Sequence, residues 1–133
     1  MEIVNSNCAS LSNYEVFKHL QKIKDGKKKH KGQLATITYE TLRYLETTHI
    51  NDQSPDSIKN CMKDLAAFNL SKTELLMIIN SPPSTAIDIQ LMVEESEERL
   101  TEEQVQDILE IVAKHFPYVV KEKVEEDNEE ELE

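Results

Sequence analysis

Glycine is nearly missing from this chain: two in 133 residues, alongside four prolines and two cysteines. So few turn-formers exclude a turn-rich all-β fold. Both glycines fall in one hydrophilic stretch, Lys24 to Gln33, so no glycine-rich loop is placed to cradle a phosphate. Cys8 and Cys61 stand alone, without metal-type spacing. Lone cysteines of this kind suit a reducing compartment and read as small hydrophobes. The longest apolar run is Leu75 to Ile79, far short of the ~20 residues a spanning helix needs, so neither a membrane span nor a signal peptide is expected. The apolar fraction, 38%, lies below the usual ~45–50% and points to a small core with solvated extensions.

What the chain has is charge. Charged residues make up 31% and the formal net charge is −11. Two basic and eight acidic residues between Lys121 and Glu133 give that segment a net −6, leaving −5 for the remainder. A surface of that sign repels a phosphate backbone, although a local basic patch could still touch one. Leu, Glu, Lys, Gln and Ile run long and favour helix. A chain of this length has room for one modest domain and a tail.

The segment from Ser84 to Phe116 reads as the hub. Leu100-Thr101-Glu102-Glu103-Gln104-Val105 is a helix start with Thr101 as N-cap, Gln104 closing the box, and Leu100 and Val105 as a hydrophobic staple. Val105, Ile108, Leu109, Val112 and Phe116 then recur at three and four residues, widened by Ile111, until Pro117 stops the helix. The preceding helix should begin near Ser84 or Thr85, with Ile87, Leu91 and Val93 on its apolar side and Ala86, Ile89 and Met92 beside them.

The same grammar recurs upstream. Ser12 and Glu15 open a helix carrying Val16, Phe17, Leu20 and Ile23 to about Lys24, and this short one-sided helix needs something to lie on. Thr36 to Thr48 is the next helix, with Ile37, Thr41, Leu42, Tyr44 and Leu45 on or beside its apolar side and Tyr39 nearer the margin. Ser54-Pro55 starts another, carrying Ile58, Met62, Leu65 and Ala66 on one face with Cys61 beside it. Ser71 and Glu74 open a helix whose Leu75–Ile79 run is apolar nearly all round and should be central. Met1 to Ala9 is too weak to be a strand alone; it reads as a frayed terminus or as a strand added to a partner's sheet through Ile3 and Val4. Val119 to Glu133 loses its apolar period and should be disordered.

No chemistry is visible. His19, His30, His49 and His115 are scattered and lack partners at metal spacing. Neither a nucleophile elbow nor HExxH occurs. Glu94, Glu95, Glu97, Glu98, Glu102 and Glu103 share one solvated setting, whereas catalytic carboxylates need contrasting ones. The expectation is a non-enzymatic protein with no cofactor and no metal. The acidic segment reads either as a solvated helix end, with Glu102 and Glu103 favourable in a first turn, or as a docking edge. In the docking reading Arg99 bridges carboxylates and Ile87 and Leu91 add apolar surface; spacing leaves both open. The lysines of the 24–33 loop, Lys27, Lys28, Lys29 and Lys31, read as a solvated linker or as a nuclear-localisation or RNA-touching patch.

TAIDIQLMVEESEERLTEEQ, Thr85 to Gln104, resembles the signature region of the small helical stalk subunits of RNA polymerase III. These form the calcitonin gene-related peptide receptor component protein family, similar to the small stalk component of archaeal RNA polymerase. LSNYEVFKHL (Leu11 to Leu20) and TITYETLRYL (Thr36 to Leu45) match the same family in the same order, so the resemblance covers residues 1–117. It implies an all-α fold: an N-terminal strand-and-helix arm over 1–50, broken by a basic flexible loop at 24–33, then a helicase-and-RNase-D-C-terminal-like (HRDC-like) bundle over 54–117. An acidic disordered tail, 118–133, would follow.

It also implies a heterodimer with the larger stalk subunit, which carries an oligonucleotide-binding (OB) fold. That pair would protrude from the RNA polymerase III core, meet initiation factors, and serve initiation of transfer RNA, 5S ribosomal RNA and other small transcripts in the nucleus. The family is also described as coupling a calcitonin-type receptor to signalling, which implies a cytoplasmic or peripheral plasma-membrane pool as the alternative. Carried onto matching positions, the contact residues are Ile3, Val4, Leu11, Tyr14, Val16, Phe17, Leu20, Ile37, Leu42 and Tyr44 in the arm, and Ile87, Gln90, Leu91, Glu94 and Arg99 in the hub. Each apolar one competes with a role in this chain's own core, above all Leu42, Ile87 and Leu91. The basic loop and the tail depart from the family pattern and carry no family role.

Overall fold

Ser12 begins the first helix as its side chain requires. In this computed structural model, which describes residues 10–26 and 32–119, Ser12 Oγ accepts from the Glu15 N–H at 3.2 Å and Glu15 Oε1 accepts from the Ser12 N–H at 3.0 Å. The expected strand with Ile3 and Val4, the lysines at 27, 28, 29 and 31, and the tail beyond Val119 lie outside the described residues. Every regular element among the described residues is helical, so the all-α expectation holds. The chain divides into two compact units, 1–50 and 51–133.

The N-terminal unit pairs α1 (Asn13–Asp25) with α2 (Gln33–Thr47). Helix α2 starts ahead of the expected Thr36, from Gly32 at φ 73° and without a capping side chain. That backbone conformation suits glycine, and it leaves no cap signal in the sequence. The pair closes around Phe17, Leu42, Leu45 and Ile50, with Tyr14, Val16 and Leu20 partly covered beside them. Thr38 is buried as well, and its hydroxyl donates to the Leu34 carbonyl at 2.7 Å, so no polar group is left unpaired there.

The C-terminal unit comprises α3 (Pro55–Leu65), α4 (Lys72–Asn80), α5 (Ala86–Met92), the single turn α6 (Ser96–Arg99) and α7 (Glu102–His115). Reciprocal capping boxes open α3, α4, α5 and α7 through Ser54–Ser57, Ser71–Glu74, Thr85–Asp88 and Thr101–Gln104. Helix α7 lies against α3 and α5, and α4 against the same two. Cys61 and Leu65 of α3, Ile78 and Ile79 of α4, Ile89 of α5, and Ile108 and Val112 of α7 form the buried centre. His115 Nε2 and Asp64 Oδ2, 2.7 Å apart, add a polar tie between α7 and α3.

Two details differ from expectation. In α5 the buried side chain is Ile89, at 0% exposure, followed at the C-cap by Val93 at 2%, which was expected on the apolar side, while Ile87 and Leu91 stand 66% and 78% exposed. The pairs 87/91 and 89/93 have the same helical spacing, so periodicity alone could not choose between them; the fit against α4 and α7 does. Beyond Pro117 the chain turns back, and Val119, expected to begin the tail, is 6% exposed and packs into the core. Tyr118 sits beside Phe116, with ring centroids 6.1 Å apart. Buried Gln53 fastens this end: its Nε2 donates to the Ile79 carbonyl at 2.9 Å and to the Tyr118 hydroxyl at 3.0 Å.

Cys61 is fully buried and its thiol is pushed up to about 12, first by burial and then by the nearby Asp64 carboxylate. Thiolate is the reactive form. In a Cys8→Ser background, alkylation at neutral pH is therefore expected to stay negligible until denaturant unfolds the C-terminal unit. Rapid native-state labelling would contradict that burial.

Candidate protein-interaction surfaces

Glu74 closes the α4 capping box, its Oε1 accepting from the Ser71 N–H at 2.9 Å, while its Oε2 accepts from the Glu94 N–H at 3.2 Å. Arg99 reaches in from α6 and donates to both carboxylate oxygens, Nη2 to Oε1 at 2.8 Å and Nη1 to Oε2 at 2.9 Å. The same guanidinium donates to the carbonyls of Glu94 at 2.8 Å and Asn69 at 3.3 Å. This two-pronged pairing fixes direction as well as distance. Glu74 is 6% exposed. The hydrogen bonds from Arg99, more than any other group, hold its carboxyl down to about 2 against the opposing effect of burial.

The lock positions the acidic turn. Glu95, which precedes α6, takes the left-handed φ of 53°, a conformation costing a side-chain-bearing residue roughly 1–2 kcal/mol. Bonds to the Glu94 N–H and carbonyl on one side, and to Arg99 on the other, hold the chain there. As a result Glu94, Glu95, Glu97, Glu98, Glu102 and Glu103 all face solvent. Arg99 does bridge carboxylate oxygens, but those of Glu74 inside its own unit.

Beside this turn lies a groove of about 580 Å³, lined by Ala86 and Gln90 of α5, Ser96 and Glu97 of α6, and Leu100, Thr101, Glu102, Val105 and Gln106 leading into α7. A smaller depression of about 320 Å³ shares Gln90, Ser96 and Glu97 with it and adds Val93, Glu95 and Glu98. Ile87 and Leu91 flank Gln90 on α5.

The N-terminal unit presents a second surface. Helix α2 turns Thr38, Leu42 and Leu45 inward and leaves Leu34, Ile37 and Tyr44 at 48%, 61% and 66% exposure. These three recur at helical spacing, so one flank of α2 carries an uncovered apolar stripe.

The residues expected to meet a partner therefore separate. Phe17 and Leu42 are internal, at 1% and 4% exposure. Tyr14, Val16 and Leu20 are half-buried around them, and Lys18 Nζ lies 5.6 Å from the Tyr14 ring centroid. Leu11, Ile37, Tyr44, Ile87, Gln90, Leu91 and Glu94 are exposed. Leu34 was missed; its place one turn before Ile37 becomes a signal once the helix is known to start at Gln33. Glu74 was legible as a cap, but nothing in the spacing announced Arg99, 25 residues on, as its partner. Among the described residues no cluster of three His, Cys, Asp or Glu side chains could hold a metal, and no helix is long and apolar enough to cross a membrane.

Comparison with known proteins finds relatives along most of the chain. A family model described as RNA polymerase Rpb4 matches residues 10–116. The chain is similar to the DNA-directed RNA polymerase III subunit rpc9 of Schizosaccharomyces pombe, 28% identical over 129 residues that cover 88% of this chain and 100% of that protein. It is similar to the Dictyostelium discoideum protein of the same name at 29% over 104 residues, 71% of this chain and 76% of that one. The Saccharomyces cerevisiae subunit RPC9 is 32% identical over 68 residues, 51% of this chain and 42% of its own. The family match runs from Ser10 through Phe116 and takes in helices of both units; the chain belongs to the RNA polymerase Rpb4 family.

Proposed function

We propose that this chain is a non-catalytic subunit of RNA polymerase III, working in the nucleus as half of a stalk heterodimer. Its other half is the larger, OB-fold stalk subunit, and the pair supports initiation of transfer RNA, 5S ribosomal RNA and other small transcripts. Similarity to RNA polymerase III subunits across both units supports the polymerase part of this reading. The observation that carries the heterodimer part is the bare flank of α2. Leu34, Ile37 and Tyr44 are large apolar side chains left in water by a unit whose buried core, among the described residues, has four members. Covering such a stripe removes its contact with water and stabilises association. Leu11, Tyr14, Val16 and Leu20 extend the proposed contact along α1, and Ile3 and Val4 remain candidates for strand addition. The basic loop lysines need no part in it.

Co-expression with the larger stalk subunit tests the heterodimer directly. Ile37→Asp combined with Tyr44→Asp is expected to abolish co-purification while the melting temperature of the isolated chain stays within a few degrees. Undiminished co-purification would remove α2 from the interface. Affinity capture of the tagged wild-type chain from nuclear extract tests the wider reading, and an eluate without RNA polymerase III subunits would reject it.

A further inference from the structure

The hub surface has a different character from the α2 stripe. Ile87 and Leu91 are two of the most exposed large hydrophobic side chains in the described structure. They stand on α5 next to the groove-lining Gln90, so an aliphatic lip borders a concave floor that includes Leu100 and Val105. The far rim is acidic, with Glu97 and Glu102 on the groove and Glu95 and Glu98 on the adjoining depression. Arg99 is the single cation between Ala86 and Gln106, and Glu74 with two backbone carbonyls already engages it. Arg99 also attracts Glu94 and Glu95, and the segment has no second cation to offset Glu97, Glu98 and Glu102.

We infer that the α5–α6–α7 face docks a basic, apolar-anchored segment of another polypeptide. A bulky aliphatic or aromatic side chain covers Ile87 and Leu91, and Lys or Arg side chains lie over Glu97, Glu98 and Glu102. The charge of the face selects this occupant. A second copy would bring the same carboxylates against their equivalents, and a nucleic acid or an anionic lipid surface would bring phosphate against them. Glutamates held on a locked turn guide encounter and set register, while the aliphatic pair supplies the water-excluding contact. The inference does not rest on the stalk assignment, because the observations that carry it lie entirely within the C-terminal unit.

A fluorescein-labelled amphipathic peptide with leucine on one helical face and lysine on the other is a direct probe, titrated by anisotropy into the full chain. Ile87→Ser with Leu91→Ser is expected to weaken binding at least 10-fold without lowering the melting temperature, since both side chains are in water already. Glu97→Gln with Glu98→Gln is expected to weaken it several-fold and to flatten its salt dependence. The equal charge change at Glu40 and Glu46, exposed on α2, should leave affinity unchanged. Equal losses from the two glutamine pairs, or no loss from the serine pair, would mean diffuse attraction to an acidic protein and overturn the proposal. A photo-crosslinker in place of Leu91 adds a test independent of affinity. Cross-links to the peptide's leucine face support docking, and none, or cross-links to its lysine face, refute it.

Discussion

Glu74→Ala is expected to lower the stability of the C-terminal unit by about 2–4 kcal/mol, from the loss of a helix cap and of charge-assisted hydrogen bonds to a buried carboxylate whose Arg99 partner is itself exposed. The Ser71 and Glu94 N–H groups lose their acceptor, and the Arg99 guanidinium loses both carboxylate oxygens while still held against the Asn69 and Glu94 carbonyls. In a unit of this size that corresponds to a melting temperature lower by roughly 10–20 °C, readable by calorimetry. A change under a few degrees would mean that solvent readily replaces the lock. Glu74→Met with Arg99→Met should recover only part of the loss: it restores apolar packing at position 74, but the Ser71 and Glu94 N–H groups still lack the carboxylate they donate to.

Acid gives the same lock a signature. The folded-state carboxyl of Glu74 lies at about 2 against an ordinary value of 4.5. A depressed acid stabilises the fold fully above its unfolded value and loses that contribution as pH falls through the folded one. The wild-type unit should therefore lose stability progressively from about pH 4.5 down to about pH 2, and Glu74→Gln should lose less over that interval. Equal acid sensitivity in the two proteins would assign the loss to other carboxylates.

Phe17→Ala is the second large effect, and it falls on folding. Phe17 is 1% exposed and packs with Leu42, Leu45 and Ile50, and emptying such a site costs about 3–5 kcal/mol. A unit of about 50 residues has roughly that much stability in total, at ~0.05–0.15 kcal/mol per residue. The variant is expected to lose the helical circular dichroism of α1 and α2 and to exchange their amides rapidly. Tyr44→Ala, on the same unit but 66% exposed, should leave both signals unchanged. Helicity retained in Phe17→Ala would show that the α1–α2 pair does not depend on its largest side chain. Loss of partner binding in a Phe17 variant would therefore report an unfolded arm, whereas loss in a Tyr44 variant would report a contact.

Local chemistry was the legible part of this chain. Ser12 with Glu15, Ser71 with Glu74 and Thr101 with Gln104 fix helix starts through bonds three residues long, which any reader of the sequence can form. The buried stripe of α7 was equally plain, because its other face is charged. Legibility stopped where two answers had the same period. Ile87 and Ile89 can each lead an apolar face of α5, and only the neighbouring helices decide between them. The same limit applies to Arg99: a reader sees a cation among glutamates, but its chosen carboxylate comes from α4. Tyr118 and Val119 were hidden for another reason. Pro117 ends helical periodicity, yet a chain that leaves a helix can still return to the core.

Gln53 carries a consequence for how the C-terminal unit can be cut. One amide nitrogen near the start of that unit reaches both the last turn of α4 and the residue just after Pro117. Head and foot of the bundle are thereby buttoned together. A fragment trimmed back to the end of α7 would strip Tyr118 from that amide and Val119 from the interior. Any shortened version meant to keep that button has to run through Val119.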